Sequence, residues 1–267
     1  MMELLSYTFM QRALLAGLVT GVLCAVVGVY VVNRGLSFMG AGISHAAFGG
    51  VALGVWLGVS PVLAAIAFCL VVGWSIAWLS LKTQVREDTA VGIFFASTMA
   101  LGILLLGLIQ GLRQDLFAYL FGSILAVTPQ DLWIILGCAL LVLATLALWG
   151  KELLFIIFDP QGAAVSGLPA TRLYFLLITL VTVTIVISIK VVGIVLVSAL
   201  LVTPAAAAAQ LSQRFGIIMV LSVIIGVVST QGGLLLSYGW DTPSGATIVL
   251  VVTALFILAS AYARLRR

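Results

Sequence analysis

The sequence predicts an all-α polytopic membrane protein with about 8–9 transmembrane helices, and three observations carry that reading. First, the 267 residues are 64% hydrophobic and only 7% charged, with a mean hydropathy of +1.34. A soluble domain carries roughly 25% charged residues, so most of this chain is solvated by lipid. Second, the apolar residues run on for about 20 positions at a time without alternation, the length of a spanning helix and the wrong pattern for a membrane β-barrel. Third, no polar stretch exceeds roughly 20 residues, which leaves no room for a soluble domain. Residues 1–267 therefore form a single transmembrane domain on this reading.

The apolar runs fall at about 13–33, 43–59, 61–81, 89–110, 131–150, 172–189, 192–211, 215–238 and 244–263. Basic residues in short loops set orientation. With the C-terminal Arg264, Arg266 and Arg267 cytoplasmic, Arg34, Lys82, Arg86, Lys151, Arg172 and Arg214 fall on the same side, and Arg12, Arg113 and Lys190 on the other. The C-terminus is expected in the cytoplasm and the N-terminus outside. The net charge of +4 is thus a topological signal and implies no nucleic-acid partner. Cys24, Cys69 and Cys138 lie inside apolar runs without CxxC pairing and read as small packing residues. The start of the chain lacks a basic leader and a small-residue cleavage site, so no removable signal peptide is expected.

Within the first run, Gly17, Gly21 and Gly28 suggest a close-packing helix face. The stretch Arg34 to Gly58, RGLSFMGAGISHAAFGGVALGVWLG, holds the chain's one histidine, His45, beside Ser44 and among seven glycines. An ionisable side chain at a membrane span marks a functional site by default. Gly50, Gly54 and Gly58, four apart, are expected to line one face and admit a neighbouring helix. Residues 82–88, KTQVRED, read as a solvated turn of mixed charge. Leu116 to Val127 is apolar but too short to span, and reads as an external half-helix or re-entrant piece. Thr128-Pro129-Gln130-Asp131 has the marks of a helix start: cap, proline in the first position, acid in the first turn.

The connection at about 151–171 is the longest on the cytoplasmic side. Asp159-Pro160 opens it, GAAVSG reads as a short helix, and Gly167-Leu168-Pro169 ends it. An ordinary interfacial loop and a helix that docks onto a soluble partner both fit. Pro204 sits inside the run 192–211, where it removes a helix hydrogen bond and is expected to kink the span. Thr230-Gln-Gly-Gly233 suggests a break within the next span, and Asp241-Thr-Pro-Ser-Gly245 an external turn with Asp241 or Thr242 capping the last helix.

Several chemistries are excluded. No GxxxxGK[ST] phosphate loop exists, so the chain has no ATP-hydrolysing machinery of that kind. HExxH, GxSxG and a second histidine are missing, so the chain is not expected to be an enzyme. A proton-coupled carrier usually buries carboxylates mid-span, whereas nearly all eight acids here lie at loop edges. A pump built from this chain would draw its energy from another subunit.

Taken together, RGLSFMGAGISHAAFGGVALG (34–54), EDTAVGIFFASTMALGI (87–103), DLFAYLFGSILAVTPQDL (115–132), FDPQGAAVSGL (158–168), VGIVLVSALLVTPAAAAAQL (192–211) and DTPSGATIVL (241–250) resemble the permease subunits of ATP-binding-cassette importers for zinc and manganese. The resemblance implies a type II importer architecture in the bacterial cytoplasmic (inner) membrane, and a homodimer of permeases over two cytoplasmic ATPase subunits. It also implies an extracytoplasmic metal-binding protein that feeds the permease. ATP would sit on the partner subunit and a divalent metal ion would be the cargo, with no cofactor bound by this chain. Asp159, Pro160, Gln161, Gly162, Ala163, Ala164 and Gly167 match the region that forms the coupling helix in that family. His45 matches the family's histidine after the first span, with Ser44 as an auxiliary ligand. Many members carry an aspartate four residues before that histidine; here the position is Ala41. Ala209-Gln210 likewise stands where members often place an arginine.

Overall fold

In the computed structural model, residues 7–108 and 127–266 are described, and they are helical with short connections. In chain order the helices are α1 (Thr8–Arg34), α2 (Ser37–Leu57), α3 (Pro61–Lys82), α4 (Glu87–Leu108), α5 (Pro129–Phe158), α6 (Pro160–Val165), α7 (Ala170–Val192), α8 (Ile194–Leu211), α9 (Phe215–Trp240) and α10 (Ser244–Leu265). All but the six-residue α6 are long and apolar enough to cross a membrane, which gives nine spans among the described residues. The expected half-helix at 116–127 lies almost wholly outside the described residues.

The spans alternate in direction, so one end of the bundle gathers the C-terminal ends of α1, α3, α5, α8 and α10 with α6. Arg34, Lys82, Arg86, Lys151, Arg172, Arg214, Arg264 and Arg266 lie at that end, against Arg12 and Lys190 among the described residues at the other. The turn from α1 to α2 uses only Gly35 and Leu36. Gly35 takes φ 79°, which glycine adopts without a Cβ clash, and Leu36 N–H closes onto Val31 O at 2.9 Å.

Small residues hold the helices together. Along α1 and α9, Gly21 and Gly226 leave no room for a Cβ: one on Gly226 would stand 2.9 Å from the Gly21 carbonyl. Ser222 Oγ donates to Ala25 O at 3.0 Å across the same seam, and Gln231 Nε2 to Leu14 O at 3.0 Å. Gly28 brings α1 against the Leu201 carbonyl of α8. Such interfaces suit a bilayer, where close packing and hydrogen bonds, rather than water exclusion, hold helices together. At the centre, α7 is largely buried, with Phe175, Thr179 and Val183 along one partly open face, and touches α1, α2, α3, α5 and α8.

Several expectations change here. The span expected at 131–150 becomes a 30-residue α5 that runs through Lys151 and Glu152 to Phe158, because nothing in 151–158 breaks a helix before Asp159-Pro160. The helix is about 45 Å long at 1.5 Å per residue, against about 30 Å of hydrocarbon, so its last turns stand clear of the lipid. Thr230–Gly233 does not break α9: Gly233 lets Ile248 of α10 approach, and the Gln231 side chain is satisfied by α1. Asp241 and Thr242 do not cap α10 either. Asp241 ends α9 in the left-handed region at φ 52°, while Thr242 shares a 2.8 Å hydroxyl contact with Thr247. Thr128 does cap α5, in a capping box with Asp131.

Candidate functional site

His45 sits a little over two turns into α2, and its surroundings follow from the glycines of that helix. On one side Gly42 meets Val91, and a Cβ on Gly49 would stand 2.7 Å from the Thr98 carbonyl, so α4 lies tight along α2. On another, Gly50 faces Ala65 and Gly54 faces Pro61 and Ala64 of α3. Gly58 does not belong to that face: it ends α2 at φ 69° with nothing within 4 Å of its missing side chain. Its spacing copied Gly50 and Gly54, but its role is the left-handed cap that only glycine takes cheaply. Toward α8, Gly40 meets Leu201, and Ser44, fully buried, has its hydroxyl 3.3 Å from Ser198 Oγ.

These contacts leave one stripe of α2 uncovered: Phe38, Ala41 and His45, at the three- and four-residue spacing of a single helical face. His45 is half-buried there. Its Nδ1 lies 2.9 Å from the Ala41 carbonyl. A carbonyl can only accept, so this contact puts a proton on Nδ1 and leaves Nε2 as the nitrogen not engaged by the backbone. The Phe95 ring of α4 closes the other side, edge-on at 4.7 Å between centroids. The imidazole is therefore held in place through Nδ1 and the Phe95 edge, with Nε2 as the ring nitrogen left to meet a ligand. Ser44 points about 100° away around the helix and is not brought to the same place as His45.

No three of His, Cys, Asp and Glu come together among the described residues. Zinc usually takes about four ligands, so one copy of the chain supplies a fraction of a site.

The second feature is α6. Asp159 Oδ1 accepts from Gly162 N–H at 2.8 Å, and Pro160 occupies the first position, where its missing N–H is harmless. Ala163 is the one buried residue of the helix and anchors it. Gln161, Ala164 and Val165 face outward, with Phe158 beside them; Val165 is 90% exposed. Gly167 turns the chain at φ 82°, and Leu168 N–H bonds Ala163 O at 3.1 Å, which fastens α6 to the start of α7. Carried on the end of α5, the short helix presents a small apolar knob. Pro204 lies buried inside α8, which continues through it.

The turn at 82–88 is not merely solvated. Glu87, in the first turn of α4, lies 3.5 Å from Arg34 and accepts a 2.9 Å hydrogen bond from the Tyr174 hydroxyl. The Arg34 guanidinium lies over the Tyr174 ring at 5.6 Å. Sequence reasoning missed this cluster and Phe95. An acid and a base at the same membrane end were visible, but the tyrosine that joins them is 87 residues from Glu87.

Comparison with known proteins gives a consistent picture. Residues 6–263 match the model of the ABC 3 transport family. The chain is 39% identical over 257 residues to the manganese transport system membrane protein MntC of Halalkalibacterium halodurans, covering 96% of this chain and 88% of that protein. It is 36% identical over 247 residues to the high-affinity zinc uptake system membrane protein ZnuB of Haemophilus influenzae, covering 92% and 95%. Among solved structures, PsaBC from Streptococcus pneumoniae in complex with Fab superposes with a TM-score of 0.86 at 34% identity, covering 99% of this chain and 97% of that one.

Proposed function

The chain belongs to the ABC 3 transport family, and on that premise we propose that it is the permease of a bacterial importer for a divalent transition metal, zinc before manganese. A separate ATPase drives it by alternating access. The observation that carries this reading is His45: an imidazole anchored through Nδ1, with Nε2 not engaged by the backbone, on an uncovered stripe of α2. Two copies facing each other bring two such nitrogens together, helped by backbone carbonyls and water. So sparse a ligand set binds weakly enough to release its cargo. Imidazole favours zinc over the harder manganese ion, and with Ala41 one turn before His45 no carboxylate redresses the balance. The relatives named for manganese and for zinc support the class of cargo.

In the proposed assembly, two permeases sit over two cytoplasmic ATPases, each α6 seated in a groove of one ATPase. A metal-binding protein delivers cargo at the opposite face. The concentration of basic residues at the α6 end supports a cytoplasmic α6 and C-terminus. ATP-driven closure of the ATPases would rock the two halves through α6.

The test is uptake of labelled zinc and manganese by the permease–ATPase complex in proteoliposomes, with His45→Ala beside the wild type. ATP-dependent uptake that disappears in an assembled mutant places His45 on the cation's path. Unchanged uptake in the mutant removes His45 from it. A second reading is a permease of the same build for another cargo such as iron or a metal chelate, and the chelate draws on the lack of any three-residue ligand cluster among the described residues. A chelate brings its own ligands. Wild-type vesicles that ignore both free ions and accumulate a chelate would favour it.

A further inference from the structure

The cluster formed by Arg34, Glu87 and Tyr174 lies between the two features on which the proposed function rests. We propose that it transmits the displacement of α6 to His45, with Glu87 and Tyr174 as positioning residues for the cation path. This inference rests on the reading of α6 as the ATPase contact and of His45 as part of that path.

Three observations define the route. First, α6 cannot move without the start of α7, because the Leu168–Ala163 hydrogen bond and the Gly167 turn join them; Tyr174 lies in the first turns of α7. Second, α4 and α7 share no broad packed surface, since α4 packs on α2 and α3. The 2.9 Å bond from the Tyr174 hydroxyl to the Glu87 carboxylate is thus a discrete point of attachment between them. Third, Glu87, Val91, Phe95 and Thr98 are spaced four, four and three residues apart, along one face of α4. On that face Val91 meets Gly42, Phe95 meets His45 and the Thr98 carbonyl meets Gly49. A pull at Glu87 therefore acts on the very stripe of α4 that holds the imidazole.

The chemistry suits a releasable link. Tyr174 is 4% exposed, and its hydroxyl bonds a charged acceptor, the stronger kind of hydrogen bond. The Arg34–Glu87 pair is long and a quarter exposed on each side, so by itself it holds little. Its place is to hold the Glu87 side chain beside Tyr174 and to tie in the end of α1, which only Gly35 and Leu36 separate from α2.

The experiment uses the permease–ATPase complex in proteoliposomes, with Cys138→Ser to remove the half-exposed native thiol and Ala41→Cys as reporter on the His45 stripe. The labelling rate at position 41 is compared between the nucleotide-free and ADP-vanadate states, beside ATP hydrolysis and metal uptake. With the native junction the rate changes about fivefold or more, the low end of ordinary coupling between sites. Tyr174→Phe and Glu87→Gln cut that change to below about twofold while hydrolysis and assembly persist, and uptake per ATP falls in step. Combining the two substitutions adds no further loss, because they break one link. Glu87→Asp, which keeps the charge, restores part of the response. A full nucleotide response in both single variants overturns the proposal. Loss of assembly in both also overturns it, because it marks the junction as scaffolding. If native-junction vesicles take up neither zinc nor manganese while labelling still follows nucleotide, the cargo reading fails, and the variants' labelling alone judges the junction.

Discussion

Replacing Gly50 with alanine adds one methyl group where α2 presses on α3. The new Cβ would stand 2.7 Å from Ala65 Cα, 3.1 Å from Phe68 Cβ and 3.4 Å from Ala65 Cβ. Carbon atoms rest at about 3.5–4.0 Å, so the closest pair is about 1 Å too near. The nearest atom is backbone, which no rotamer change can move, so α3 must shift bodily away from α2. Overpacking of this kind costs about 1–3 kcal/mol. Against that, alanine gains up to about 1 kcal/mol over glycine as a helix former. Gly137→Ala is the control, because Gly137 lies in the exposed face of α5 with nothing within 4 Å, and only the propensity gain applies. The two variants should therefore differ by about 1–3 kcal/mol, about 5- to 150-fold in the folded-to-unfolded ratio. Unfolding of the purified permease in mixed micelles, titrated with a denaturing detergent, reads this difference. Zinc uptake should fall as well, since Gly50 lies five residues after His45 on the helix being displaced. Equal stability of Gly50→Ala and Gly137→Ala would refute the packing argument. So would a Gly50→Leu variant no worse than Gly50→Ala.

Two further expectations concern other parts of the molecule. Asp159→Ala removes the acceptor of the Gly162 N–H and should destabilise α6 by about 1 kcal/mol, lowering metal-stimulated ATP hydrolysis in the assembled complex, whereas Asp159→Asn should retain most of it. Cys24 and Cys69 are fully buried and Cys138 is half-buried, so a membrane-permeant maleimide should modify Cys138 in the folded permease and reach the other two only after denaturation; peptide mapping of the labelled protein checks this.

The parts of the fold legible in the sequence share a cause. The nine apolar runs match nine candidate spans among the described residues because the bilayer penalises each unsatisfied backbone group, and long apolar helices are the simplest remedy. The ends were less legible. The span expected to stop at 150 runs to 158, since Lys151 and Glu152 are compatible with a helix that has left the lipid. Thr230–Gly233 looked like a break and proved to be packing, because within a bundle glycine admits a neighbour as readily as it ends a helix. His45 could be picked out from the sequence as the chain's one imidazole, yet its orientation could not. α2 is apolar nearly all round, so no polar face indicates which residues are covered.

By itself, the sequence determined the solvent this protein lives in, the order of its apolar runs, and the local chemistry that starts α5 at Thr128-Pro129, while the short helix read at GAAVSG begins two residues earlier, at Pro160. Those properties depend on residues within one or two turns of each other. Tertiary structure decided what depends on distant partners: that Ser44 turns to Ser198 while His45 stays on the open stripe, that Gly58 caps while Gly50 packs, and that Glu87 answers to Tyr174. In a bundle whose helices are apolar on every face, hydrophobicity cannot choose the inward side. Steric fit at glycines and a few hydrogen bonds make that choice.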